Sequence, residues 1–378
     1  MPVPQLPVEL IKLIVDIPTL RKADLQSLNL TARVFPPLVR RHLFERLIID
    51  LGWIFEDDMS TLETDERRAI TLHETERLMF FRRHPNLATL VRTVLLSGDS
   101  ILEAPPWSMP ITAHDVMQLV YAIFPRLEEV ISFCDGPSIA PPRLTLPCCQ
   151  TLHTIRSFDF DTSTWTSLQA CTGLRHLGLE VMQLELDEPL PVVPPSLPFR
   201  LVTLVIDIIR GNDTGDVFLM PFLRACGPTL ERLSLGVWFD HVRNLSTLPK
   251  LATLSVTMTS DYTVEAIGET LDEWLATILP TCHALEHLRI SAVYAGWELD
   301  RTPAGLLAVP EVAAALPATL KRIDFDRPPR EGQLEAALSK NNSVQVIGMP
   351  TEEGDPWLDF CDQRGITVVD PDMDPWAA

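Results

Sequence analysis

One short pattern recurs through the middle and C-terminal parts of this sequence: Leu-x-x-Leu-x-Leu, then one residue and another apolar one. It is clearest at Leu174-Arg175-His176-Leu177-Gly178-Leu179-Glu180-Val181. It returns from Leu201, Leu230, Leu251, Leu285 and Leu320, with Leu204, Leu233, Leu254, Leu288 and Ile323 in the second apolar place. Weaker copies start at Ile155 and Val344, and residues 90–96 and 127–133 read as degenerate first copies. The alternation within each copy has the period of a β-strand with one apolar face. From Ile155 onward, successive copies begin 19, 27, 29, 21, 34, 35 and 24 residues apart. That is room for a strand and a way back, and nothing more. A unit so short cannot bury its own apolar edge, so the copies have to stack on one another.

This register resembles the leucine-rich repeat, which implies an α/β fold: short parallel strands inside, helices or loops outside. The residue after the strand lacks the usual Asn or Cys, so an irregular horseshoe over residues 87–350 is expected. The long steps leave space for helices at residues 262–279 and 303–316, with a third at 217–225. Many of the 33 prolines fall between apolar stretches, as punctuation of a segmented chain does. An open solenoid end needs a cover with a polar outer face. Residues 357–369 are expected to supply it, within a closing segment 351–378 whose last residues form an acidic tail. The alternative is an ordinary α/β sheet with similar leucine spacing.

Ahead of the repeats, residues 6–49 carry more large aliphatics than a segment of that length can bury by itself. Leu6, Leu10, Leu13, Ile14 and Ile17 recur at helical spacing, with Pro7 in the first turn and Pro18 closing the run. Leu25, Leu28, Leu30, Val34 and Phe35 follow Asp24, a candidate N-cap. Leu38, Val39, Leu43, Phe44 and Leu47 lead into a strand-like end. The pattern Leu-Pro-x-Glu-Leu-x-x-x-Ile, then Asp-Leu-x-x-Leu-x-Leu-x-x-Arg-x-Phe, then Arg-x-Leu-Phe-x-x-Leu resembles a fungal-type F-box. That resemblance implies docking on a Skp1-type adaptor, and through it on a cullin. Leu6, Pro7, Leu10 and Ile14 would form the docking surface, with Leu25, Leu28 and Phe35 supporting it. Phe35 stands where such motifs usually carry Trp. The implied order is an F-box-like helical module at 1–50, a helical linker or N-terminal cap at 51–86, the repeats at 87–350 and the closing segment.

The formal net charge is −20. Such a surface repels phosphate backbones and anionic bilayers, so neither nucleic acid nor membrane is an expected partner. The seven cysteines are scattered and odd in number, which fits reduced thiols rather than a disulfide framework. With no run of about 18 apolar residues and no secretion-type leader, a cytoplasmic or nuclear protein is expected.

Motifs for chemistry are missing. There is no Gly-x-Gly-x-x-Gly or Gly-Lys-Ser/Thr loop and no Gly-x-Ser-x-Gly elbow. His283 and His287 are four apart near Cys282, but His287 opens an expected strand, so the pair would not share a helical face. Asp355, Asp359 and Asp362 read as solvated helix acids. No cofactor, no metal and no catalytic residue is expected.

A binding surface does follow from the strand period. Residues between the apolar ones face the concave side: His176, Glu180, Asp207, Arg232, His287, Arg289, Arg322 and Asp324. Mixed polar groups on a strand array suit recognition of a protein. The expected function is therefore a substrate-recognition adaptor of a Skp1–cullin–F-box ubiquitin ligase, itself not an enzyme. Its N-terminal helices would hold Skp1 and its repeats an unidentified target. The alternative is a non-catalytic repeat scaffold whose F-box-like helices only cap the solenoid.

Overall fold

The computed structural model describes residues 35–50, 76–97, 113–133, 148–159, 165, 168–181, 192–208, 218–236, 242, 244–258, 271–292, 302–351 and 356–372. The protein is α/β. Its twelve described strands follow one another in chain order, and within each unit neighbouring strands pair in parallel. The chain divides into two compact units, residues 1–157 with 170–173, and residues 158–169 with 174–378.

In the first unit the helix Phe35–Glu45 runs directly into β1 (Arg46–Asp50). Next come a helix at 76–83, β2 (Thr93–Ser97), the helix Ala113–Ile123, β3 (Glu129–Phe133) and β4 (Thr154–Asp159). Register aligns Leu47, Val94, Val130 and Ile155 in one buried row. Ile155 thus occupies the second apolar place of its repeat and Leu152 the first, three residues earlier than the spacing alone suggests. The reason is pairing: Thr154 lies opposite Glu129, which fixes the side of the sheet each residue faces. Phe44, Phe81 and Phe124 stack edge-on at centroid distances of 5.8 and 5.3 Å, tying helix ends to this core.

The second unit carries β5 (His176–Val181), β6 (Thr203–Ile208), β7 (Arg232–Leu235), β8 (Thr253–Met258) and β9 (His287–Ala292). It continues with β10 (Arg322–Phe325), β11 (Val346–Gly348) and β12 (Thr367–Val369). Leu177, Leu204, Leu233, Leu254, Leu288, Ile323 and Ile347 are in register across the sheet and buried. Helices at Met220–Cys226, Leu271–Ile278, Gln333–Leu338 and Pro356–Arg364 complete that core with Phe222, Leu275, Leu334 and Trp357.

The expected helix at 303–316 is two helices, Pro303–Leu307 and Pro310–Ala315. Pro310 has no N–H to continue the first and pushes Val309 to extended backbone, with ψ of 128°. Residues 357–369, expected as a cover, are built as one further helix–strand step, since β12 pairs with β11. Residues 262–270 of the expected helix at 262–279, and Leu6, Pro7, Leu10, Ile14, Leu25 and Leu28, lie outside the described residues. Phe35 opens the helix Phe35–Glu45, and its side chain is not among those described.

Hydroxyls take on some of the hydrogen bonding between repeats. Thr151 Oγ1, Thr319 Oγ1 and Ser343 Oγ each donate to a carbonyl of the preceding repeat (Leu127, Leu285 and Leu320) at 2.7 Å. Each stands immediately before the first apolar residue of its own copy. Backbone bonds repeat the theme: Glu231 N to Val202 O, Ala252 N to Glu231 O, Glu286 N to Ala252 O, Lys321 N to Glu286 O, all 2.8–2.9 Å. These turn carbonyls and amides are satisfied by the neighbouring repeat.

Two outcomes follow from this core. Leu254→Ala, in the centre of the buried row, is expected to lower the unfolding free energy by about 3 kcal/mol, read from denaturant melts. Six of the seven cysteines are buried free thiols. Burial pushes Cys282 and Cys361 up to about 11, and it also raises Cys226. Because the thiolate is the reactive form, at most one thiol is expected to react with a small disulfide reagent in the native protein at neutral pH, and all seven in guanidinium.

Candidate functional site

Side chains alternate across a strand, so residues between the buried ones project on the opposite face. In the second unit they form rows by register. One row runs His176, Thr203, Arg232, Thr253, His287, Arg322, Val346, Thr367. The next runs Gly178, Val205, Ser234, Ser255, Arg289, Asp324, Gly348, Val369. Glu180 and Asp207 are register partners two residues further along β5 and β6. The sheet therefore brings together His287, Arg289, Arg322 and Asp324 on β9 and β10. His176 and Arg232 lie in the same row several strands away. For a chain of net charge −20, these two rows are notably basic, with Asp324 as their one acid.

Exposure along the rows is uneven. His176, Arg232, His287 and Arg322 are half-buried, while Arg289 and Asp324 are buried at 4% and 0% relative exposure. Asp324 is enclosed by its neighbours. His287 Nε2 lies 2.7 Å from its Oδ2, and Arg322 Nε donates to its Oδ1 at 2.9 Å. Burial alone would raise the Asp324 carboxyl, but these two bonds and the charges behind them hold it below the ordinary carboxylate value. Arg289 is met by the chain itself. After β12 the backbone turns back, and Asp372 Oδ2 accepts from Arg289 Nη2 at 2.6 Å.

Gly348 makes room for both contacts. A Cβ there would occupy the place of the Asp324 carboxylate and would stand 3.0 Å from Pro371 Cα. Gly348 and Asp372 belong to this site although the repeat pattern does not nominate them. A glycine inside a strand is the signal for Gly348, since it marks a close approach. Asp372 carries no such signal, because its partner is 83 residues away.

The arrangement can hold carboxylates. His283 is exposed in a turn and His287 is engaged by Asp324. Among the described residues no group of three or more His, Cys, Asp or Glu side chains is placed to hold a metal ion. In the first unit the counterpart of the first row is polar, Arg46, Thr93, Glu129 and Thr154, while that of the second begins with the apolar Ile48, Leu95 and Ile131 in register, with Ile48 half exposed. Arg156, next in that row, pairs with Glu129 at 3.4 Å.

Comparison of the chain with family models gives no match, and comparison with curated proteins gives none either. Among the described residues no helix is long and apolar enough to cross a membrane.

The Asp324 cluster has a pH signature. A carboxylate held below its unfolded value contributes stability above the ordinary range near pH 4 and loses it as pH falls through its lower folded value. Asp324→Leu is expected to cost on the order of 3 kcal/mol at neutral pH, because Arg322 and His287 lose a buried partner. It should also flatten the fall of Tm below about pH 4. Thermal melts of both proteins across that range check this; an unchanged acid limb would assign it to other carboxylates.

Proposed function

We propose that this protein is a substrate-recognition adaptor of a Skp1–cullin–F-box ubiquitin ligase. The observation that carries the reading is the pairing of an F-box-like N-terminal sequence with a parallel strand array whose one face is core and whose other face bears mixed polar groups. Leu6, Pro7, Leu10 and Ile14, supported by Leu25, Leu28 and Phe35, dock the Skp1-type protein as an apolar helical face in a groove. The polar rows around His176, Arg232, His287, Arg289, Arg322 and Asp324, with Glu180 and Asp207 at their margin, hold the target. The chemistry belongs to the ligase. This chain contributes proximity, raising the local concentration of target lysines near the charged conjugating enzyme.

A second reading has an observation of its own. Val39 is fully buried and Phe44 stacks on Phe81. The last apolar patch of the N-terminal run is thus part of the repeat core. If the whole run behaves that way, the helices are a cap, and the protein is a repeat scaffold that binds a partner without a ligase.

Co-purification with a Skp1-type protein separates the two. Wild type is expected to bind and the Leu10→Asp/Ile14→Asp double variant to lose binding at least about tenfold, a deficit of about 1.4 kcal/mol, with circular dichroism and Tm unchanged. Absence of wild-type binding, together with unfolding of the double variant, would reject the adaptor and leave the capped scaffold.

A further inference from the structure

We propose that the polar face over β9 and β10 is a docking site for an acidic peptide segment, and that the protein's own C-terminal segment occupies it as an intramolecular ligand. The proposal rests on reading this face as the target-binding one, and it adds the chemistry of the partner.

The argument starts with charge. His287, Arg289 and Arg322 meet on two adjacent strands, and the sheet itself supplies one acid among them, Asp324. Both oxygens of Asp324 are engaged, one by His287 and one by Arg322. The carboxylate on Arg289 Nη2 comes from Asp372, beyond the last strand. A guanidinium this deeply buried requires an anion, because an unpaired buried charge is costly. Arginine suits the task, since its donor fork matches a carboxylate.

Geometry identifies the segment as a ligand laid across the sheet rather than a continuation of it. From β12 to β9 is three strand spacings, about 14 Å. Residues 370–372 reach about 10 Å when extended, and the long Arg289 side chain closes the remainder. On the way the segment crosses β11 at Gly348, where Pro371 sits over the bare α-carbon. Gly348 opens this notch, Asp324 lines it and Pro371 fills it. The segment itself is rich in acid, Asp370-Pro371-Asp372-Met373-Asp374. Asp370 is exposed, and Asp372 keeps 35% of its side chain in solvent, so the pairing is one that water and a competitor can reach. A target presenting a similarly spaced acidic segment makes the same contacts in place of the tail.

Competition tests this in the full-length protein. The probe is a fluorescein-labelled peptide of this chain's residues 367–378, read by fluorescence anisotropy at low salt. In wild type the tethered tail acts at about millimolar effective concentration and outcompetes the probe. Asp372→Ala removes the competing carboxylate and is expected to bind the probe at least about tenfold more tightly. Adding Arg289→Gln to Asp372→Ala should abolish that gain. Arg289→Lys in the same background should restore part of it, which separates a lost contact from a lost fold. A probe with Asp370, Asp372 and Asp374 replaced by Asn should not bind.

If Asp372→Ala melts lower than wild type and still binds no probe, the tail is a structural strap and the proposal is overturned. Binding that does not depend on Arg289 overturns it equally. Co-purification with the Skp1-type protein uses neither Arg289 nor Asp372, so failure of the adaptor reading shows up in that assay and not in this one.

Discussion

Everything in this molecule depends on one constraint: a strand and its return cannot bury the apolar edge they create. The row Leu177, Leu204, Leu233, Leu254, Leu288, Ile323 and Ile347 is buried only because each member is covered by the repeats on either side. Parallel pairing in chain order is the arrangement that lets every copy meet two neighbours with only a short connection between. The same logic extends to polar atoms. Turn carbonyls of one repeat are met by Thr151, Thr319 and Ser343 of the next.

The core face and the opposite face of the sheet obey different physics. On the core face, neighbours need only be apolar and the right size, so Phe325, Met349 and Val256 substitute for leucine without loss of burial. On the other face, over β9 and β10, His287, Arg289, Arg322 and Asp324 are held by charge and hydrogen bonding. Asp324 is tolerable at zero exposure because His287 and Arg322 both reach it, and Arg289 because Asp372 does. Gly348 links the two demands: it keeps its place in the ladder while giving space to the Asp324 carboxylate and to Pro371. The binding role we propose belongs to this second face.

Much of this was legible in the residues. The recurrence of Leu-x-x-Leu-x-Leu dictated parallel strands and the face each residue occupies, and it therefore nominated His287, Arg289, Arg322 and Asp324. It misplaced Ile155 by three residues, because a degenerate copy has two apolar alternations and only pairing with Glu129 and Val130 chooses between them. It joined two helices across Pro310, where the alanine-rich run outweighed a proline that permits a helix to begin but not to continue. Nothing in local pattern said that Arg289 would be buried under residues from its own C-terminal segment.

What the sequence determined by itself is periodic: the strand, its apolar side, the need to stack, and the reduced, acidic character of the chain. Those properties are local, set by spacing over a few residues, and each copy repeats the message. What only the tertiary structure decided is which charges meet. Arg289 and Asp372 are 83 residues apart and His287 and Asp324 are 37 apart. Their partnership depends on strand order, register and the path taken after β12, and none of these is written in the neighbourhood of either residue.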